Sequence, residues 1–127
     1  MPAINIWAVL VAIVASGALG ALWYSPILFL RPWVVAAGRE PKQDPMVYAI
    51  TLGSAILAAG AFAVWLGPHP SLGSALGHGL LAGTCFAASS LGLNYAFANR
   101  GLVLWLIDGG FHVARFVLFG LVLGLWP

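Results

Sequence analysis

Four long apolar stretches, separated by short polar connections, make up almost the whole chain. They cover residues 4–24, 46–66, 72–98 and 102–126. Each has about the 20 residues that an α-helix needs to cross the hydrocarbon core of a bilayer. The pattern therefore predicts an all-α protein, in which residues 1–127 form one integral membrane domain, a bundle of four transmembrane helices.

The connection after the first span is the longest one. It begins with Ser25 and Pro26, and proline removes a backbone donor and disfavours helix at the residue before it. Residues 27–37 are apolar but too short to cross the membrane again. They predict a kinked helical extension or a segment that lies in the membrane interface. Residues 38–45 are strongly polar and predict a solvated loop.

Positive residues lie on one side of this predicted bundle. Arg31, Arg39 and Lys42 fall in the first connection and Arg100 in the third, whereas the second connection and both chain ends contain no Lys or Arg. Connections rich in Lys and Arg stay in the cytoplasm. The distribution predicts a multi-pass protein of the cytoplasmic (inner) membrane with both termini outside.

Small residues recur every four positions along two of the spans, where they let another helix approach closely. In the first span the series is Ala8, Ala12, Ser16 and Gly20. In the third it is Ala75, Gly79, Gly83 and Ala87, and Ser90 and Asn94 continue the same face at helical spacing. We predict helix-packing roles for Gly20, Gly79, Gly83, Gly120 and Gly124.

The composition agrees with a membrane protein and excludes several other classes. Of 127 residues, 62% are hydrophobic and 6% are charged, which leaves too few charges to cover a soluble surface. The net charge of +2 forms no basic face, so we expect no nucleic-acid partner. Cys85 has no second thiol, and the histidines show no metal-ligand spacing, so no metal site is predicted. No cofactor is indicated.

The fourth span carries three ionisable residues, Asp108, His112 and Arg115, inside an otherwise apolar run. At about 100° per residue, His112 and Arg115 fall about 40° and 20° to either side of Asp108, so all three share one helical stripe. Ionisable groups are costly in hydrocarbon and usually face a protein interior, a partner or a water-filled cavity. The stripe is the candidate site.

Two interpretations of the stripe remain open. In one, Arg115 is a fixed cation for a ligand, lipid headgroup or proton site, Asp108 is its counter-charge, and His112 titrates between them. In the other, Asp108 and Arg115 form a buried pair that fixes how the helices dock. Further candidates for a pocket beside the stripe, open toward the cytoplasmic half, are Asn94, Tyr24, Trp23, Ser25 and Ser90. Asn94 with Tyr95 also fits a helix cap beside an interfacial aromatic residue.

The chain also resembles a family of uncharacterised bacterial membrane proteins, domain of unknown function 1761 (DUF1761). The likeness covers nearly the whole chain and is carried by residues 20–29 (GALWYSPILF), Asn94 with Tyr95, and residues 106–113 (LIDGGFHV). The resemblance implies a small four-span protein with a Trp-Tyr-Ser-Pro motif after the first span and a Gly-x-His element in the last. It implies no activity.

Three classes of function follow from these patterns. A binding or transport module would hold a small amphiphile, a lipid headgroup or an anion against Arg115, as a homo-oligomer. An accessory subunit would dock its glycine ridges on a larger membrane complex, with the polar stripe as a packing lock. An enzyme would need His112 and Asp108 as acid and base, but no nucleophile or metal set accompanies them. We expect a binding module and no enzyme.

Overall fold

The structure, a computed structural model, describes residues 4–127 as a helical bundle. Its helices are α1 (Ile6–Trp23), α2 (Leu30–Ala37), α3 (Pro45–Leu66), α4 (Leu72–Phe97) and α5 (Leu102–Leu125). All except α2 are long and apolar enough to cross a membrane, and the described residues contain no strand. The predicted all-α bundle of four spans is thereby confirmed.

The four long helices alternate in direction and so define two ends of the bundle. Residues 38–44 and 98–101 connect helices at one end, which we call the loop end. Residues 67–71 connect α3 to α4 at the other, the termini end, where residues 4–5 and 126–127 also lie.

The first connection contains a separate short helix rather than an extension of α1. α1 ends at Trp23, residues 24–29 form turns, and α2 begins at Leu30. The break lies beside Pro26, as the loss of a backbone donor predicts. α2 ends at Ala37 and is capped by Gly38, which has a positive φ of 74°, a conformation that glycine adopts without strain.

Asp44 marks the start of α3. Its carboxylate accepts a hydrogen bond from the Val47 N–H (3.0 Å), and Pro45 occupies the first turn, where a missing N–H costs nothing. Lys42 Nζ lies 3.2 Å from the same carboxylate. The Val47 N–H and then Lys42 hold the pKa of Asp44 below its usual range.

The closest helix pair is α4 with α5, and small residues make it close. A methyl group on Gly83 would lie 2.5 Å from Val113 Cα, and methyl groups on Gly79 and Gly120 would clash with the facing backbone at Phe116 and Ala75. The glycines of one helix therefore pack against the backbone of the other. A methyl group on Gly124 would lie 3.0 Å from Leu72 Cα, whereas one on Gly20 of α1 would make only an ordinary contact with the Phe111 ring.

A π-helical segment, Ala82–Ala88, interrupts α4 and rotates its packing face. Bonding from i to i+5 puts an extra residue into the turn. The buried small residues Ala75, Gly79 and Gly83 are therefore followed by Ala88, not by Ala87 as unbroken α-helical spacing predicts. The indole N–H of Trp105 on α5 donates to the Ala88 carbonyl (2.8 Å).

The termini half of the bundle is a packed apolar core. The rings of Phe62 and Phe119, whose centroids are 6.2 Å apart, lie against the small side chains of Ala8, Ala12 and Ala59. Alanines leave room for the two rings between the helix backbones. The polar residues of the stripe lie on the loop side of this core.

Candidate functional site

An open cavity of about 1170 Å³ occupies the loop half of the bundle. Its walls come from all five helices and from residues 40–43 of the loop between α2 and α3. The three residues of the polar stripe, Asp108, His112 and Arg115, line it together with Tyr24, Trp33 and Tyr95. Asp108 is nearest the loop end, and Arg115 lies about two helical turns deeper, near the middle of α5.

Asp108 is held by three side-chain donors from three other parts of the chain. Tyr24 Oη and Trp33 Nε1 donate to Oδ1, at 2.7 and 3.1 Å, and Tyr95 Oη donates to Oδ2. A carboxylate accepts such bonds strongly because it is charged. The single carboxylate thus ties the end of α1, the short helix α2 and the end of α4 to α5.

The antiparallel arrangement of α4 and α5 explains how Tyr95 reaches Asp108. Side chains on a helix lean toward its N-terminus, so those of α4 lean toward the termini end and those of α5 toward the loop end. Tyr95 and Asp108 therefore converge although their backbones lie at different depths. The extra residue of the π-helical segment places Tyr95, rather than Asn94, on the inner face of α4.

The predicted residues of the Trp-Tyr-Ser-Pro motif have three different positions. Tyr24 lines the cavity and binds Asp108, as described above. Trp23 Nε1 donates to the Ile107 carbonyl of α5 (2.9 Å), so it joins α1 to α5 without lining the cavity. Ser25 Oγ donates to the Leu22 carbonyl one turn back (2.6 Å) and also lies outside the cavity.

Arg115 is not paired with Asp108, which corrects the expectation that Asp108 is its counter-charge. Among residues 4–127, Lys42 with Asp44 is the ion pair within 4.0 Å. The Arg115 guanidinium lies over the rings of Phe116 and Phe119, 5.2 and 5.6 Å from their centroids, and 6.0 Å from that of Phe111. Aromatic rings attract a cation through their electron-rich faces.

His112 and Arg115 each present a buried nitrogen without a protein partner. In the described part of the chain, His112 Nδ1 and Arg115 Nε make no hydrogen bond. Buried polar atoms in native proteins are nearly always paired, so an unpaired one calls for an explanation. One helical turn separates the two residues, and both line the same cavity. An occupant of that cavity would therefore lie beside both side chains.

Ser90 and Asn94 are exposed and do not line the cavity, contrary to the prediction from helical spacing. The π-helical segment is the reason, because it turns the inner face of α4 from these residues to Leu91 and Tyr95. Ser90 and Asn94 consequently face away from Asp108.

Several cavity residues were not among the predicted ones. They include Trp33 and Tyr95, which bind Asp108, and three hydroxyl-bearing residues of α3. Six residues of α3 line the cavity, and the hydroxyl-bearing ones, Tyr48, Thr51 and Ser54, recur at every third position. That spacing was a usable signal, since residues three apart share a helix face. Thr51 Oγ1 does bond the Val47 carbonyl (2.8 Å) while lining the cavity.

Within residues 4–127, no group of three His, Cys, Asp or Glu side chains lies close enough together to hold a metal ion. What the arrangement offers chemically is one held carboxylate, one cation without a carboxylate partner and a histidine between them.

Comparison with known proteins gave one match. A family model described as "Protein of unknown function (DUF1761)" matches residues 7–124. The comparisons with curated proteins and with solved structures found no match.

Proposed function

The chain belongs to the DUF1761 family, whose function is unknown, and we propose from its site that it binds an anionic group at Arg115. The anionic group would be a free anion, a lipid headgroup or part of a small amphiphile. The proposal rests on one observation, namely that the two charged residues of the stripe have different surroundings. Asp108 is satisfied by Tyr24, Trp33 and Tyr95, so Arg115 faces the cavity without a carboxylate partner.

The energetics favour an occupant over a bare cation. An Arg at the centre of a membrane helix costs about 2.5–3.5 kcal/mol even on the most lenient scale. Cation–π contacts of the kind made by Phe116 and Phe119 contribute about 0.5–2 kcal/mol. Two such contacts can offset much of this cost, but aromatic rings give Arg115 no hydrogen-bond acceptor. An anion in the cavity would balance the charge and would accept hydrogen bonds from Arg115 and His112.

The alternative, an accessory subunit of a larger complex, has less support. An accessory subunit would dock through its glycine ridges, but Gly79, Gly83 and Gly120 pack inside the chain, between α4 and α5. Its packing lock would be an ion pair between Asp108 and Arg115, but these two side chains form no salt bridge. A lock does exist at Asp108, but it uses hydroxyl and indole donors and leaves Arg115 for another role. That the protein is no enzyme and forms homo-oligomers stays a prediction.

Replacing Arg115 with Met should remove the ligand while the bundle stays folded. Methionine fills similar space among the phenylalanine rings and carries no charge, so we expect an unchanged or higher melting temperature. The protein would be purified in mild detergent and its extracted lipids and metabolites measured by mass spectrometry. An anionic species that co-purifies with the wild type should fall more than tenfold in Arg115→Met.

Arg31→Met is the matched control, because it removes the same charge from an exposed residue outside the cavity. It should keep the co-purified species at the wild-type level. Equal amounts in wild type, Arg115→Met and Arg31→Met would contradict the proposal.

The loop end should face the cytoplasm. Arg31, Arg39, Lys42 and Arg100 all lie at or near that end, and positive residues resist translocation. In a Cys85→Ser background, Gln43→Cys should react with a membrane-impermeant maleimide only after the cells are opened. Pro68→Cys, in the connection at the termini end, should react in intact cells. The reverse pattern would show that the cavity opens on the outer side.

A further inference from the structure

We infer that the anion reaches Arg115 as the head of a membrane amphiphile, which enters the cavity sideways between α3 and α4. This inference rests on the proposed function and specifies the source of the anion. Three features of the structure carry it: an unpartnered stretch of α3, the position of the cavity behind that stretch, and the chemistry of the cavity walls.

The loop half of α3 stands apart from the rest of the bundle. The buried residues of α3, namely Ala55, Ala59, Phe62 and Ala63, all lie in its termini half. In the loop half, by contrast, Ile50 and Leu52 are 61% and 55% exposed. The backbone contacts of α3 are with α1 and α5, and it makes no substantial backbone contact with α4. The two helices therefore leave a gap between them at the loop half.

The cavity extends to both edges of this gap. Thr51 and Ser54 of α3 line it on one side, and Leu91 and Tyr95 of α4 on the other. Leu91 lies six residues before the end of α4 at Phe97, or about 9 Å along the helix, and Ser54 lies deeper still. At that depth the surroundings are acyl chains rather than water. The cavity thus opens toward the hydrocarbon of one leaflet.

The cavity walls combine a polar track with apolar surface. The hydroxyls of Tyr48, Thr51 and Ser54 lead along α3 from the loop end toward the depth of Arg115. Ile13, Leu91 and Phe111 supply apolar surface beside them. A small hydrated anion would lose its water without covering the apolar walls. An amphiphile satisfies both parts, because its head binds the cation and its tail covers the apolar residues.

The aqueous mouth of the cavity offers a soluble anion little attraction. The charged residues of the loop that line the mouth are Glu40 and Lys42, which have opposite charges. Lys42 already lies 3.2 Å from Asp44. A cleft lined by one sign of charge concentrates the opposite ion, and this mouth lacks that property. Access through the membrane needs no such steering.

Two phosphate monoesters distinguish access through the bilayer from access through water. Dodecyl phosphate partitions into the bilayer and methyl phosphate stays in water, while both carry the same phosphate head. Binding of each would be measured by native mass spectrometry on wild-type protein in phosphatidylcholine nanodiscs. Dodecanoate and acetate provide the same comparison for a carboxylate head. We expect the wild type to bind the long-chain member of at least one pair, and Arg115→Met to lose that binding more than tenfold.

Crowding the gap should block the amphiphile selectively. Leu91→Trp places a larger side chain at the edge of the gap and should weaken binding of the long-chain probe more than tenfold. Leu93→Trp is the matched control, because Leu93 lies on the same helix, is 60% exposed and does not line the cavity. It should bind like the wild type. As a second measure, a photoreactive group in the tail should label the gap residues Ile50, Leu52 and Leu91 of the wild type but not of Arg115→Met.

The outcomes distinguish this inference from the proposed function. Arg115-dependent binding of methyl phosphate or acetate that equals binding of the long-chain probe, and is unchanged by Leu91→Trp, would overturn lateral access and leave the anion site standing. Failure of all four probes to bind in an Arg115-dependent way would overturn both proposals. Long-chain binding lost in Arg115→Met and in Leu91→Trp, but kept in Leu93→Trp, supports both.

Discussion

Replacing Asp108 with Ala should lower the free energy of unfolding by about 2–5 kcal/mol, because three hydrogen bonds between separate parts of the chain disappear together. Each such bond between membrane helices contributes about 0.6–1.7 kcal/mol. The donors Tyr24, Trp33 and Tyr95 all converge on this one carboxylate. The loss would be measured by denaturant unfolding in mixed micelles. Glu40→Ala, which removes an exposed acid from the loop, should change the stability by less than about 0.5 kcal/mol.

The double variant Asp108→Ala, Arg115→Met distinguishes this set of hydrogen bonds to Asp108 from a stabilising ion pair between Asp108 and Arg115. If the two charges neutralised each other, removal of both would recover much of the loss. Asp108 binds neutral donors instead, so we expect the effects of the two substitutions to add, with no recovery beyond the effect of Arg115→Met alone. Asp108→Asn retains one acceptor oxygen and should lose less stability than Asp108→Ala. Recovery of most of the stability in the double variant would contradict the arrangement described here.

Replacing Gly79 with Ala should destabilise the bundle by roughly 3 kcal/mol, at the upper end of the usual cost of overpacking. The added methyl group would meet the backbone of α5 at Phe116, which has no flexible end that can move aside. The two helices must separate, and the neighbouring contact of Gly83 with Val113 weakens as well. The change is measured as a lower unfolding midpoint in the same micelles.

Gly77→Ala is a control on the same helix, two residues away. A methyl group at Gly77 would meet no atom within 4 Å, so only the helix propensity changes. Alanine is favoured over glycine inside a helix by up to about 1 kcal/mol, and the variant should be as stable as the wild type or more so. Equal destabilisation by the two substitutions would mean that α4 and α5 do not pack through Gly79.

The fold was largely predictable because its determinants are local along the chain. Hydrophobic length identified four spans, and the helices begin and end within about two residues of the predicted bounds. Pro26 predicted the break after α1. The spacing of Gly79 and Gly83 indicated a close helix contact, since small residues four apart lie on one helix face. Such features depend only on neighbours in sequence, and helical periodicity expresses them directly.

The site was predictable only in part. The stripe of Asp108, His112 and Arg115 follows from 3.6 residues per turn, and the structure places all three on one cavity. Their partners did not follow. Periodicity extended from Gly83 pointed to Ser90 and Asn94, because nothing in the sequence marked the π-helical segment that shifts the face by one residue.

Only the tertiary structure decided what each charge of the stripe does. A helical pattern shows that Asp108 and Arg115 share a face, but it does not show which donors other helices bring to that face. Three donors from elsewhere in the chain occupy Asp108 and so leave Arg115 to the cavity. The gap beside α3 is likewise a property of how whole helices pack, and the apolar sequence of α3 is the same whether a helix or a lipid covers it.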